Sequence, residues 1–298
     1  MPDPIDINDI VIESSKAFAA KFNEGMAGPN PEHELIATVL KSAAGATGYG
    51  FLGDFPRLKE WIGERQLKDL AKHQYNIVNK LFESSVRVGR VDYEDNDYGR
   101  YGIVFKQMGY DARMHPDEHI FSLLKNGFTE LCYDGQPFFD TDHPLEKGGT
   151  VSNAYIPPSN PQEGWYLLDT RRPIKPLIWQ ERIKPELQRV DDTNDTHVFT
   201  YDEYLFGVRA RGNAGYSFWQ LAAGSQEELT AENFTKVYDG MMSQKDSEEK
   251  SLKIKPSILV VPVGLRAAAE AILLRERLDN GESNTNYKAV ELLVSQDL

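Results

Sequence analysis

The chain has 298 residues, 46 acidic against 33 basic side chains, a net charge of −13 and one cysteine. Nucleic-acid-binding proteins concentrate lysine and arginine because phosphate neutralisation supplies much of their affinity, so this balance argues against strong DNA or RNA binding. No run of eighteen apolar residues predicts a membrane span, no secretory signal is recognisable at the start, and the lone cysteine is typical of a reducing cytoplasm.

The first 45 residues predict a helical arm. Apolar residues recur at three- and four-residue spacing between Ile10 and Phe22, which is the pattern of an amphipathic helix. Glycine and proline residues at 25–31 end this helix, and a second helix is expected over about 31–43. Such an arm is only partly apolar and needs a neighbour to pack against.

Residues 46–94 predict an extended loop. Apolar and polar residues alternate from Tyr75 to Ile77 and again from Phe82 to Val88, with an Asn79-Lys80 step between the two runs. This pattern predicts a long β-hairpin with one polar face. Because an isolated hairpin is marginally stable in water, we expect it to lie on a neighbouring subunit.

A helical spine is predicted over 97–127. Acidic residues at 94–97 favour a helix start, and an apolar stripe runs from Tyr101 to Met108. Since proline favours the first position of a helix, a second helix is expected to begin at Pro116 and to end before Gly127.

The remaining chain predicts a mixed, α+β organisation. Short apolar runs separated by prolines indicate strands and loops from 128 to 225. After them we expect a helix capped by Thr230 that reaches Met242, a buried strand over 258–262, a helix over 265–273 and a closing strand over 290–294.

One string suggests catalysis, namely His115 to His119, which matches the H-x-x-E-H pattern of inverted zinc peptidases. That chemistry needs both imidazoles on one helical face, Glu118 beside them and a third ligand. Pro116 at the first helical position would place His115 at the cap and separate the two histidines. A zinc peptidase acting through His115, Glu118 and His119 is therefore the alternative, and a helix start is the preferred interpretation.

Other motifs carry weaker signals. The sequence around Asp140, Asp142 and His143 fits a β-turn before a proline better than a metal site. The glycines at 45–50 lack the Lys-Ser/Thr ending of a phosphate loop, and Cys132 has apolar neighbours typical of a core position. We therefore expect no active site, no cofactor and no metal.

Six ordered strings resemble the major head subunit family of Mu-like tailed phages. The first reads GYGFLGDFPRLKEW and the last KPSILVVPVGL, and the full set occupies 48–61, 84–95, 116–128, 132–144, 175–182 and 255–265. No single string is decisive, but their order is specific. The resemblance extends from about residue 45 to the C-terminus.

The resemblance implies the Hong Kong ninety-seven-type capsid fold. Mapped onto this chain, that fold has an N-terminal arm (1–45), an extended hairpin loop (46–94), a peripheral domain (95–225) with a spine helix (97–127), and an axial domain (226–298). The function implied is structural and not enzymatic: self-assembly into an icosahedral head that encloses double-stranded DNA.

Partners are implied in the same way. They are further copies of the chain in hexameric and pentameric capsomers, together with scaffold, portal and decoration proteins. Packaged DNA would lie nearby without tight binding, and the subunit would be assembled in the bacterial host cytoplasm and end in the virion. Phe55, Trp61 and Tyr75 are expected to contact neighbouring subunits, the alternative being that each packs within its own subunit.

Overall fold

The computed structural model describes residues 7–49, 75–145, 148–246, 249–278 and 280–298. Within them the fold is α+β, as predicted. In chain order the elements are α1 (Ile7–Ala27), α2 (His33–Ile36), β1 (Ala37–Lys41), β2 (Ala46–Gly48), β3 (Asn76–Val78), β4 (Lys80–Gly89), α3 (Arg90–Glu94), α4 (Tyr101–Lys125), β5 (His143–Pro144), β6 (Thr150–Val151), β7 (Ala154–Tyr155), β8 (Trp165–Leu168), β9 (Leu177–Val190), α5 (Thr196–Tyr201), β10 (Glu203–Tyr216), β11 (Ala222–Ser225), α6 (Ala231–Met242), β12 (Ile258–Pro262), α7 (Arg266–Leu273) and β13 (Glu291–Ser295).

The first large sheet is built on a long antiparallel hairpin. Strands β9 and β10 have 14 residues each, and β1 and β4 flank them in the order β1-β9-β10-β4. Strand β1 corrects the prediction of a helix over 31–43, because only α2 is helical there. Residues 37–41 pair in parallel with 177–181, and this distant pairing favours the extended form of the β-branched residues Thr38 and Val39.

The predicted hairpin around Asn79 is wrong. Strand β3 pairs with β2, whereas β4 pairs with β10, so the two alternating runs diverge at Asn79. The Asn79 amide donates to the carbonyl oxygens of Ala44 and Gly45, at 2.9 and 3.0 Å. This side chain therefore ties the junction of the two strands to the loop before β2.

Helix α4 confirms the predicted spine, but its division into two helices at Pro116 is wrong. The helix is continuous from Tyr101 to Lys125 with Pro116 inside it. Proline lacks the N–H that would bond one turn back, so packing on both sides of it must offset that loss. Phe105 is buried in a smaller hydrophobic cluster and Phe121 in a larger one, so α4 joins two cores.

Helix α1 confirms the predicted amphipathic arm helix and packs on α4 of the same chain. It buries Phe18 and Phe22 in the smaller cluster. The two helices touch through backbone: a β-carbon at Gly25 would lie 2.0 Å from the carbonyl oxygen of Lys106, and one at Gly109 would lie 2.0 Å from that of Phe22. Only glycine permits so close a crossing.

The second large sheet has the strand order β13-β12-β8-β11-β7. The helix capped by Thr230, the strand ending at Pro262, the helix that follows and the closing strand are all confirmed as α6, β12, α7 and β13. Strands β7, β8 and β11 precede residue 226 and β12 and β13 follow it, so the predicted boundary between 225 and 226 passes through this sheet. In the described part of the chain, no helix is long and apolar enough to cross a membrane.

Candidate functional site

The two histidines of the peptidase-like string lie side by side on α4. Because Pro116 is inside the helix, His115 and His119 are one turn apart on the same face, and their Nε2 atoms are 3.1 Å apart. The expectation that Pro116 would separate them is thus wrong. Phe82 of β4 packs against both imidazoles, with ring centroids at 4.4 and 4.9 Å, and Trp179 of β9 stacks beside His119.

This arrangement does not make a catalytic zinc centre. Such a centre needs three protein ligands, and the histidine pair supplies two. Among the described residues, the only group of three close potential ligands is elsewhere, at Cys132, Asp134 and His143. Burial lowers the pKa of both His115 and His119, so the pair is neutral near pH 7.

Cys132, Asp134 and His143 form a buried polar centre beside the second sheet. Asp134 accepts hydrogen bonds from the thiol of Cys132 at 3.0 Å and from Nδ1 of His143 at 2.7 Å. Burial alone would raise the pKa of Asp134, but the bonds from His143 and Cys132 outweigh it and lower that pKa. Burial raises the pKa of Cys132, which keeps its sulfur a thiol and a poor nucleophile. The core position predicted for Cys132 is confirmed.

Asn153 completes this centre and opposes a metal there. Its amide nitrogen donates to the carbonyl oxygens of Phe138, Trp219 and Ala222, which turns its Oδ1 toward Nε2 of His143 at 3.1 Å. Both nitrogens of His143 therefore already lie within hydrogen-bond distance of protein oxygens, Asp134 Oδ2 and Asn153 Oδ1, which leaves no open position for an ion beside the ring. The imidazole also stacks on Trp219 at 3.9 Å. The cluster is structural, and His143 contacts Asp134 instead of the neighbouring Asp140 and Asp142.

A second buried pair was not foreseen from the sequence. Asp117 of the same H-x-x-E-H string lies with Oδ1 2.5 Å from Nδ1 of His33. Its carboxylate also accepts from the backbone N–H groups of Glu32 and His33, at 3.0 and 2.8 Å. Asp117 therefore caps α2 and fastens the N-terminal segment to the spine. No local pattern links residues 84 positions apart, so only the fold reveals this contact.

Several large apolar side chains are exposed. Phe199 and Tyr201 on α5, which joins the long strands β9 and β10, are 88% and 65% exposed, and Ile103 on α4 is 76% exposed. Asp195 caps α5 by accepting from the His197 N–H at 2.7 Å, so a folded helix presents these rings. The two rings on α5 thus form exposed apolar surface on the segment that joins β9 and β10.

Of the three residues predicted to contact neighbours, only Tyr75 is among the described residues; Phe55 and Trp61 lie outside them. The Tyr75 hydroxyl accepts a hydrogen bond from the Tyr216 N–H at 2.8 Å, and the backbone carbonyl of Tyr75 accepts one from the Tyr49 N–H at 2.9 Å. Burial raises the pKa of Tyr75 to about 12. Its side chain thus has partners within its own subunit, and its contact with a neighbour stays a prediction.

A sheet built on the long β9–β10 hairpin, a helical spine joining two cores and exposed apolar side chains are features of a subunit made for assembly. The chain belongs to the family described as Mu-like prophage major head subunit gpT, whose model matches residues 12–298. It is 43% identical to the major capsid protein of Escherichia phage Mu, over 93% of this chain and 94% of that one. It is 40% identical to the Mu-like prophage FluMu major head subunit of Haemophilus influenzae, over 95% and 96%.

Solved structures agree with this family. The fold matches a chain of the procapsid of bacteriophage JBD30 with a TM-score of 0.89 and 46% identity, covering 97% of this chain and 99% of that one. It matches a chain of the JBD30 capsid with a TM-score of 0.79 and 36% identity, covering 91% and 92%. The protein is a major capsid subunit that forms the head of a Mu-like phage, a structural part of the virion and not an enzyme. The peptidase alternative has no support from these relatives.

Proposed function

We propose that this subunit tiles an icosahedral shell around double-stranded DNA, as pentameric and hexameric capsomers. The observation that carries the proposal is the match to JBD30 in two assembly states, the procapsid and the capsid, each over more than nine-tenths of this chain. The exposed rings of Phe199 and Tyr201 support it, because shell contacts would remove them from water.

We propose that each part of the chain corresponds to one part of the capsid fold. Residues 1–45 would act as the arm and 46–94 as the extended loop, while α4 and the β9–β10 hairpin form the peripheral domain. Because strands β7, β8 and β11 share a sheet with β12 and β13, we assign them to the axial side together with 226–298. A hydrogen-bonded sheet moves as one body, which supports this placement.

Partners follow from the same relatives. A JBD30 capsid structure is described as decorated with minor capsid protein trimers, and its chain matches this one with a TM-score of 0.75, 36% identity and coverage of 92% of this chain and 93% of that one. We propose a similar decoration here, with a scaffold and a portal during assembly in the host cytoplasm. The charge of −13 supports packaged DNA lying near the inner surface without tight binding.

Assembly is testable by electron microscopy. The full chain, expressed alone and with its scaffold, should give capsomers, tubes or closed shells in negative stain. A chain that remains monomeric with scaffold across a range of salt concentrations would contradict the proposal. Gel filtration at increasing protein concentration provides an independent measurement of the same property.

The predicted contact residues have their own test. Phe55→Ala and Trp61→Ala should lower the yield of shells while leaving the unfolding midpoint of the dissociated subunit unchanged. If either substitution instead lowers that midpoint, the ring packs within its own subunit. Trp165→Ala is the control for an intrasubunit loss, because Trp165 is fully buried.

A further inference from the structure

The histidine pair on α4 has the spacing of a metal chelate. Transition-metal ions such as zinc bind imidazole nitrogens at about 2.0–2.1 Å. The Nε2 atoms of His115 and His119 are 3.1 Å apart, so an ion equidistant from both would subtend an angle of about 100°. That angle lies between the octahedral and tetrahedral values, and either geometry could be completed from solvent.

The surroundings of the pair also favour an ion. Phe82 lies against both rings and Trp179 beside His119, while each histidine is only partly buried. The two Nε2 atoms are hydrogen-bonded to each other with the ring planes at 87°, and the broad χ2 torsion of histidine lets both rings turn toward an ion that displaces this hydrogen bond.

We propose that His115 and His119 bind one divalent transition-metal ion of the zinc, copper and nickel class, with water in the remaining positions. Imidazole suits these ions, whereas magnesium and calcium prefer oxygen ligands. The site lies on the described surface of α4, away from the buried cluster at Cys132, where both ring nitrogens of His143 already face protein oxygens.

The location of the pair gives the ion a structural role. Pro116 lies between the two histidines and removes one backbone hydrogen bond from the spine. An ion shared by His115 and His119 crosslinks the turn that contains the proline. Binding to the folded helix and not to the unfolded chain therefore stabilises α4, by an amount that rises with the logarithm of the ion concentration above the dissociation constant.

Equilibrium dialysis of the full chain against Zn²⁺ tests the site. We expect one ion per chain, and His115→Gln or His119→Gln should each weaken binding by on the order of ten-fold or more, since half of the protein ligands are lost. His197→Gln is the matched control, because this histidine lies on α5 beside Glu203 and outside the pair. Mg²⁺ should not compete at similar concentrations.

Electron paramagnetic resonance with Cu²⁺ provides a readout that a folding defect does not imitate. Splitting from two equivalent nitrogens is expected in the native chain, and splitting from one in either variant. The proposal is overturned if the native chain takes up no ion, or if both variants bind Zn²⁺ as the native chain does. It is equally overturned if Cys132→Ser abolishes uptake while the His115 and His119 variants retain it.

Discussion

Gly109→Ala tests the direct backbone contact between α1 and α4. A methyl group at this position would lie 2.0 Å from the carbonyl oxygen of Phe22 and 3.0 Å from the backbone nitrogen of Met26. Carbon–oxygen contacts in proteins are about 3.3 Å or longer, so α1 would have to retreat by about 1.3 Å. Neither opposing atom belongs to a side chain that could rotate away.

The cost of that retreat follows from what α1 buries. Phe18 stacks on Phe105 at 4.4 Å and meets Phe206 edge-on at 5.5 Å, and a gap of about 1 Å forfeits roughly half of the dispersion attraction between such surfaces. Overpacking against fixed backbone costs about 3 kcal/mol, and alanine recovers about 1 kcal/mol over glycine within a helix. The expected loss in the free energy of unfolding is therefore about 2 kcal/mol.

Urea unfolding of the dissociated subunit, followed by far-ultraviolet circular dichroism, measures this loss. Gly102→Ala on the same helix is the control, because the nearest atom to its β-carbon would be Cγ of Lys21 at 3.9 Å. Because Gly102 lies in the first turn of α4, that variant should gain only about 0.5 kcal/mol from helix propensity, against about 1 kcal/mol in the helix interior. The reasoning fails if Gly109→Ala is as stable as Gly102→Ala.

Four further outcomes are expected. His143→Ala removes the imidazole partner of the buried Asp134 carboxylate and leaves it only the Cys132 thiol and the Gln136 N–H as donors. The free energy of unfolding should fall by about 3 kcal/mol in denaturant melts, and a change below about 1 kcal/mol would contradict the buried pair. Burial alone would raise the pKa of Asp169, but hydrogen bonds from Arg171 and the Lys255 N–H outweigh burial, so the pKa is lower in the folded protein than in the unfolded chain. As pH falls, Asp169 is therefore protonated in the unfolded chain before it is protonated in the folded protein. The contribution of Asp169 to the free energy of unfolding should thus be complete at neutral pH and decline below about pH 4. Melts across pH should show a smaller decline in Asp169→Asn. Thr230→Ala removes the α6 cap and should cost about 1 kcal/mol, whereas equal melts would exclude the cap. Phe199→Ser should leave melting within about 0.5 kcal/mol while reducing shell yield in micrographs, since the ring is 88% exposed; unaffected assembly would remove it from the contacts.

Elements with strong local signals could be predicted from the sequence. Helix α6 begins at a threonine cap, β12 is a short run of apolar residues ended by Pro262, and α7 has a clear helical stripe. Each of these signals lies within about a dozen residues of chain. The family strings then supplied the architecture that such signals do not encode.

The errors have non-local causes. Residues 37–41 have a partly helical pattern, but pairing with residues 177–181 makes them a strand. Strand β4 was expected to pair with its neighbour in sequence and instead pairs with β10. Pro116 normally marks a helix start, and two cores on either side keep it within one helix here.

The buried polar pairs also depend on contacts that local sequence patterns do not reveal. His33 and Asp117 are 84 positions apart, and His143 pairs with Asp134 although two other aspartates lie closer in sequence. Sequence patterns placed Cys132 in the core but did not reveal the hydrogen bonds around it. The placement of His115 beside His119 likewise depended on the path of the helix through Pro116.

The strand order β1-β9-β10-β4 also has a consequence for synthesis on the ribosome. The chain emerges N-terminus first, and β1 must wait for β9, whose paired residues lie 140 positions later, while β4 waits for β10. At translation rates of about 5–20 residues per second, β1 stays unpaired for about 7–28 s. During that interval the unpaired edge of β1 can pair with strands of other nascent chains. Slower translation of the segment between β1 and β9 should therefore raise the fraction of subunits that aggregate before a shell can form.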